Sequence, residues 1–283
     1  MKTGRLAAAI SIALSGGVLP IHIATASQNV EDIQSNETMQ DIILEAGDAQ
    51  NVYGNAYNTE IIGGLQIIHS GGSSQGIVIN AVNGRDRNEY LRIDGGAVSD
   101  LTVHTGTINS DRGTLTDTTI NGGRVILSNS TVNNLEVNQG VIDTPMIDVT
   151  GGEITGTLDV NGGNILLSNT VVNADVSVTG MGEVVLSNGT ELNNASVNGG
   201  LIYNASGVTN DSIMSGGGEV IYGNGVSNNA IIYSGWQSIG NYFNGGVANG
   251  TLLYGGSQTV SEDGVANDTI IHAGVQYVYD GGE

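Results

Sequence analysis

Between Gly225 and Gly282 the chain repeats itself. Val226-Ser227-Asn228-Asn229-Ala230-Ile231-Ile232-Tyr233 returns as Val247-Ala248-Asn249-Gly250-Thr251-Leu252-Leu253-Tyr254, and again as Val265-Ala266-Asn267-Asp268-Thr269-Ile270-Ile271-His272. A second phrase alternates with it: Gly235-Trp236-Gln237-Ser238-Ile239, Gly256-Ser257-Gln258-Thr259-Val260 and Gly274-Val275-Gln276-Tyr277-Val278. The Gln positions are 21 and then 18 residues apart. A unit that short cannot bury a core alone, so its copies must stack and cover one another's apolar side chains. The apolar runs are three or four residues long, rich in Val, Ile and Tyr, and bounded by Gly-Gly or Asn, which are strand and turn signals. The expected fold is all-β: a parallel β-helix (β-solenoid) with turns of about 18–21 residues, each turn pairing with its neighbours at a rise of roughly 4.8 Å.

Composition fits such a rod. The 45 glycines among 283 residues are about twice the usual share, while proline is reduced to Pro20 and Pro145, so the glycine serves tight turns and not a linker or collagen. Charged residues are only 12%, replaced by Asn, Ser and Thr. The absence of cysteine removes disulfide and thiolate chemistry. Net charge is −21; loss of Lys2 and Arg5 with a leader leaves five arginines against 28 acids, or −23. Nucleic acid and anionic lipid would repel such a chain, so nucleic-acid binding is excluded.

In chain order, Met1–Ala26 has Lys2 and Arg5, then the apolar run Leu6–Leu14, then Ala24-Thr25-Ala26. These are the marks of a secretory signal peptide cleaved after Ala26. Residues 27–41 are polar and carry no turn phrase, as expected of a leader or an N-terminal cap that hides a strand edge. Residues 42–283 form the repeat region, whose first units, Ala46-Gly47-Asp48-Ala49-Gln50-Asn51-Val52 and Gly63-Gly64-Leu65-Gln66-Ile67-Ile68, already hold the Gln phrase. Residues 81–92 break the pattern and hold Arg85, Arg87, Tyr90 and Arg92. Such an insertion is either a binding loop on one face or a solvated loop whose arginines pair with nearby carboxylates. From Gly122 to Gly200 the phrase becomes Val-Ile-Leu-Ser-Asn (125–129), Ile-Leu-Leu-Ser-Asn (165–169) and Val-Val-Leu-Ser-Asn (184–188). Its longer apolar runs predict strands covered on both faces, or a drier core. Asp280-Gly281-Gly282-Glu283 falls in mid-unit without a polar cap, which predicts a C-terminally truncated passenger or the front part of a longer polypeptide.

The phrase G-G-x-Q-x-V-x-x-G-G-x-A-x-x-T-x-I, carried here by Gly255–Val260 and Gly264–Ile271, resembles the repeat of the AIDA-type autotransporter adhesins of Gram-negative bacteria. The likeness holds in residues over 200–283 and 46–79, and in period and composition over 93–199. It implies a right-handed β-helical passenger, exported through the inner membrane and the periplasm and carried to the cell surface or beyond by a C-terminal translocator β-barrel. It also implies attachment, autoaggregation and biofilm formation as a virulence factor, with like molecules on neighbouring cells or host glycans and proteins as partners. Some members carry heptose on Ser and Thr. This chain departs from the family in having no barrel segment.

β-Helices also serve enzymes, so chemistry was sought. The acids are scattered at one or two per unit and the mature chain lacks lysine, which disfavours a lyase needing clustered carboxylates and a base. His69, His104 and His272 share no spacing; His272 falls in the column of Tyr233 and Tyr254, as in an aromatic stack. No serine-protease motif occurs, and the Gly-Gly pairs lack the aspartate of a calcium-binding nonapeptide. No catalytic residue, metal ligand or cofactor is therefore expected. Gln50, Gln66, Gln237, Gln258 and Gln276 are expected to form a hydrogen-bonded ladder along the axis, or else to face outward as an array for a glycan or partner solenoid. The function expected is an adhesin passenger acting by many weak polar contacts, strengthened by salt because two such rods repel. The alternatives are a polysaccharide-acting enzyme and a non-binding stalk.

Overall fold

The computed structural model describes residues 21–23, 31–81, 89–141, 144–240 and 245–283. Among these there is no helix, and the strands are arranged in two parallel sheets that wind together through thirteen turns. The short-strand sheet contributes one strand per turn, from Ala49–Val52 to Val275–Val278. The long-strand sheet begins at Thr38–Leu44, inside the segment expected to be a leader. From Glu191 onward each of its strands is split in two, as in Glu191–Asn193 and Ser196–Asn198. Ile21–Ile23, within the expected signal peptide, pairs with Thr38–Gln40; the cleavage site after Ala26 lies outside the described residues.

The split has a local cause. One residue of each long strand lies in the left-handed region: Asp41, Asn58, Asp100, Asp117, Asn134, Asn194, Asp211, Asn229 and Asp268 all have φ between 53° and 61°. Glycine takes the place at Gly76, Gly156 and Gly250. Asn and Asp tolerate this conformation better than other side chains, so the chain bends there and each long strand becomes two limbs. Turn length, read between paired inward residues, runs from 16 residues (Gln50 to Gln66) to 25 (Gln66 to Leu91). The spread beyond the expected 18–21 arises where insertions such as 82–88 leave the sheets.

Between the sheets lies one long core. In the short-strand sheet one inward column reads Gln50, Gln66, Leu91, Ile108, Val125, Ile147, Ile165, Val184, Ile202, Glu219, Gln237, Gln258, Gln276. It is aliphatic in the middle and amide at both ends. The facing column of the long-strand sheet follows it: Val98, Leu115, Val132 and Ile154 where the core is aliphatic, but Ser74, Thr209, Ser227 and Ala248 where it is amide. Large faces small and polar faces polar, which fills the space without orphaning the amides. Of the two expectations for residues 122–200, the drier core is the one found. The outward residues Arg124, Ile126 and Ser128 remain partly or fully exposed.

Candidate functional surfaces

The Gln residues face inward. Gln276 Nε2 donates to Gln258 Oε1 at 2.8 Å, Gln258 Nε2 to Gln237 Oε1 at 2.8 Å, and Gln237 Nε2 to Glu219 Oε2 at 2.9 Å. At the other end Gln66 Nε2 donates to Gln50 Oε1 at 2.8 Å. Thr251 and Thr269 hydroxyls donate to Gln237 and Gln258. Gln50, Gln66, Gln237 and Gln258 are 0% exposed. The outward display is thereby corrected: Gln stands two residues before Val52, Ile68, Ile239 and Val260, and side chains two apart on a strand share a face. That parity was the signal in the sequence.

Glu219 ends the series. It is fully buried, with Thr209 donating to Oε1 at 2.5 Å and Ser227 to Oε2 at 2.9 Å. Burial pushes its pKa above the usual carboxylate value, and the hydrogen bonds from Thr209, Gln237 and Ser227 only partly oppose this.

Of the four insertion residues, Arg85 and Arg87 lie outside the described residues. Tyr90 is 4% exposed, with its ring over Gly106. It is therefore a core residue and not part of an exposed binding loop, because Gly106 leaves the ring a seat that any Cβ would fill. Arg92 pairs with Glu89, which also accepts from Asn109 Nδ2 at 2.6 Å; the Glu89 carboxylate raises the Arg92 pKa through hydrogen bond and charge. His272 stacks on Tyr254 with ring centroids 4.7 Å apart, and Tyr254 on Tyr233 at 5.4 Å. His69 stacks on Tyr53 at 4.3 Å. Among the described residues no three His, Cys, Asp or Glu side chains are grouped to hold a metal ion.

Three outer features were not foreseen. Asn193, Asn210, Asn228, Asn249 and Asn267 form a surface ladder in which each Nδ2 donates to the preceding Oδ1 at 2.8, 2.8, 2.9 and 3.0 Å. A second amide run joins Asn121, Asn138, Asn161 and Thr179. The third is a groove along the bend of the long-strand sheet. Its larger part, a cavity of about 780 Å³, lies where the strands Glu153–Val160 and Val171–Thr179 carry an extra residue. Asp100, Asp117, Glu136 and Asp159 line its continuation. Asp159 and Glu136 are paired across adjacent turns; desolvation first, and the Glu136 charge second, raise the Asp159 pKa.

No family profile and no curated protein matches the chain. Among solved structures it is similar to a hyper-glycosylated TibA fragment, glycosylated by TibC, with a TM-score of 0.71 and 23% identity over 90% of this chain and 93% of the other. The fold is therefore a known one.

Proposed function

We propose that the chain is an adhesin passenger of the autotransporter kind, exported and displayed at the cell surface or released, where it attaches to like molecules on neighbouring cells. The solenoid it resembles, TibA, is an autotransporter adhesin passenger, and the shared fold supports the same role here. The observation that carries the reading is the outer Asn ladder, Asn193 to Asn267, whose amides form a regular array of donors and acceptors on an exposed face. Each contact is weak, and repetition along the rod supplies avidity. The interior Gln ladder takes no part. Attachment to host glycans or proteins is the same activity with another partner. The TibA fragment is hyper-glycosylated, and exposed hydroxyls such as Thr114, Thr131 and Thr157 are the acceptors we propose for a similar modification.

The test displays residues 27–283 through a borrowed translocator barrel on a bacterium that does not aggregate, and follows settling at low and moderate salt. Settling that appears with the passenger and grows with salt supports self-association, because two rods at −23 repel until screened. Absence of settling at every salt removes self-association and leaves a foreign ligand or a non-binding stalk.

A polysaccharide-acting enzyme is favoured by one observation, the Glu136–Asp159 pair in a groove with one carboxyl biased toward its acid form. A raised acid beside an ionised carboxylate is the arrangement glycoside hydrolysis uses. Reducing-end assays on acidic and neutral polysaccharides, with Asp159→Asn as control, test it; no release from any of them sinks it.

A further inference from the structure

One outer column changes character along the rod. On the second limb of the long-strand sheet, the outward residues of successive turns are Thr102, Thr119, Glu136, Asp159, Ser177 and Ser196, and then Ile213, Ile231, Leu252 and Ile270. Their strand neighbours Ile232 and Leu253 are fully buried, so the alternation points Ile231 and Leu252 outward. Ile213 and Ile270 are 42% and 52% exposed. Beside them, two residues on in each strand, stand the exposed rings of Tyr233 and Tyr254. The result is a straight apolar ladder, one aliphatic side chain per turn over four turns, flanked by a stack of phenols on an otherwise polar rod. Contiguous exposed apolar surface of this kind marks an interaction site.

We propose that this ladder is the surface through which a second copy of the chain docks, side by side and antiparallel. The proposal rests on the self-association reading and names its contact. Three observations select a second copy. Charge is the first: the acids of this column, Glu60, Glu136 and Asp159, all precede Ser177, so this stretch is where a rod carrying −23 can approach its like with least repulsion. Spacing is the second. Aliphatic side chains recurring at roughly 4.8 Å nest one between the next only against another ladder of the same rise, as in paired parallel sheets. Extent is the third: four turns span roughly 19 Å, giving a patch well short of the roughly 800 Å² per partner of a stable complex. The contact is thus weak singly and effective only when many copies on two cells engage together. Facing cells present antiparallel rods, the orientation of a two-fold contact in which the same patch serves both partners.

The native sequence has no cysteine, so a single introduced one reports only its own neighbour. The experiment uses the chain displayed as above and the same chain purified in solution. Leu252→Cys is expected to give a disulfide-linked dimer under mild oxidation, whereas Thr119→Cys in the same column and Thr259→Cys on the other sheet give none. The pair Ile231→Thr, Leu252→Thr keeps strand propensity and is expected to slow settling by at least about tenfold, since apolar anchors at the centre of a contact carry most of its affinity. A thermal melt confirms that this variant folds. Dimers at Leu252 without settling of wild-type cells would keep the patch as a contact between copies and remove cell self-association. Settling that survives the double substitution, with no cross-link at Leu252, would overturn the patch and leave self-association to the Asn ladder. Neither settling nor cross-link would overturn both.

Discussion

Gln258 donates its Nε2 hydrogen to Gln237 Oε1 at 2.8 Å, and neither residue touches solvent. The hydrogen bond runs along the rod axis, parallel to the backbone bonds that join the same two turns, so each turn is tied to the next through main chain and side chain together. The polarity is uniform: every amide described donates toward the N-terminus and accepts from the C-terminal side. A substitution inside this series therefore strands partners in both directions.

Gln237→Leu is the strongest such change. Gln258 Nε2 and the Thr251 hydroxyl lose their acceptor, and Glu219 loses a donor. Buried polar groups left without partners cost roughly 1–3 kcal/mol each, so a loss of about 3–5 kcal/mol is expected in denaturant unfolding. Ile202→Val, in the aliphatic stretch of the same column, should cost only about 1 kcal/mol. Equal losses for the two would show that the ladder contributes nothing beyond packing.

Glu219 links stability to pH. Its folded pKa lies above the model value of 4.5, so between those two values the native state holds a proton that the unfolded chain has released. Stability is then full below the unfolded value and declines as pH rises toward the folded one. Glu219→Gln removes the titration, and its Nε2 can donate to Thr209 as Gln66 Nε2 does to Thr59. The variant should match wild type near pH 4 and exceed it increasingly toward pH 8 in unfolding midpoint. A gap that does not grow with pH would refute a protonated Glu219.

Thr118 shows the opposite mismatch. It stands in register with Leu101 and Leu135 in the aliphatic stretch, and its buried Oγ1 has no partner. Thr59, Thr251 and Thr269 use their hydroxyls on a Gln; Thr118 has none within reach. Thr118→Val should raise stability by about 1 kcal/mol, read as a higher unfolding midpoint. A lower midpoint would mean that the hydroxyl is satisfied in solution.

Gly106 and Gly47 separate packing from backbone conformation. Both have φ near +97°, so alanine is strained at either. Only at Gly106 would the new Cβ meet a neighbour, 2.4 Å from the ring of Tyr90. Gly47→Ala should cost about 1 kcal/mol and Gly106→Ala at least about 3 kcal/mol. Similar costs would place Tyr90 elsewhere than over Gly106.

Much of this was legible from local pattern. Copies of a phrase 18 and 21 residues apart, too short to fold alone, leave stacking as their one stable arrangement, so the solenoid follows from spacing and strand chemistry. Even the inward aim of Gln237 and Gln258 was available, through their parity with Ile239 and Val260. Other features depended on which turn lies above which. In Ile231-Ile232 and Leu252-Leu253 either neighbour satisfies the pattern equally, and a slip of one residue exchanges the faces; only closure of the two sheets around a common core places Ile231 and Leu252 outside. The Glu136–Asp159 pair arises likewise, from acids 23 residues apart brought together by register across a bulge. Periodicity along the chain thus dictated the rod, while the lateral register of its turns, set by insertions, bulges and left-handed Asn and Asp residues, made its faces.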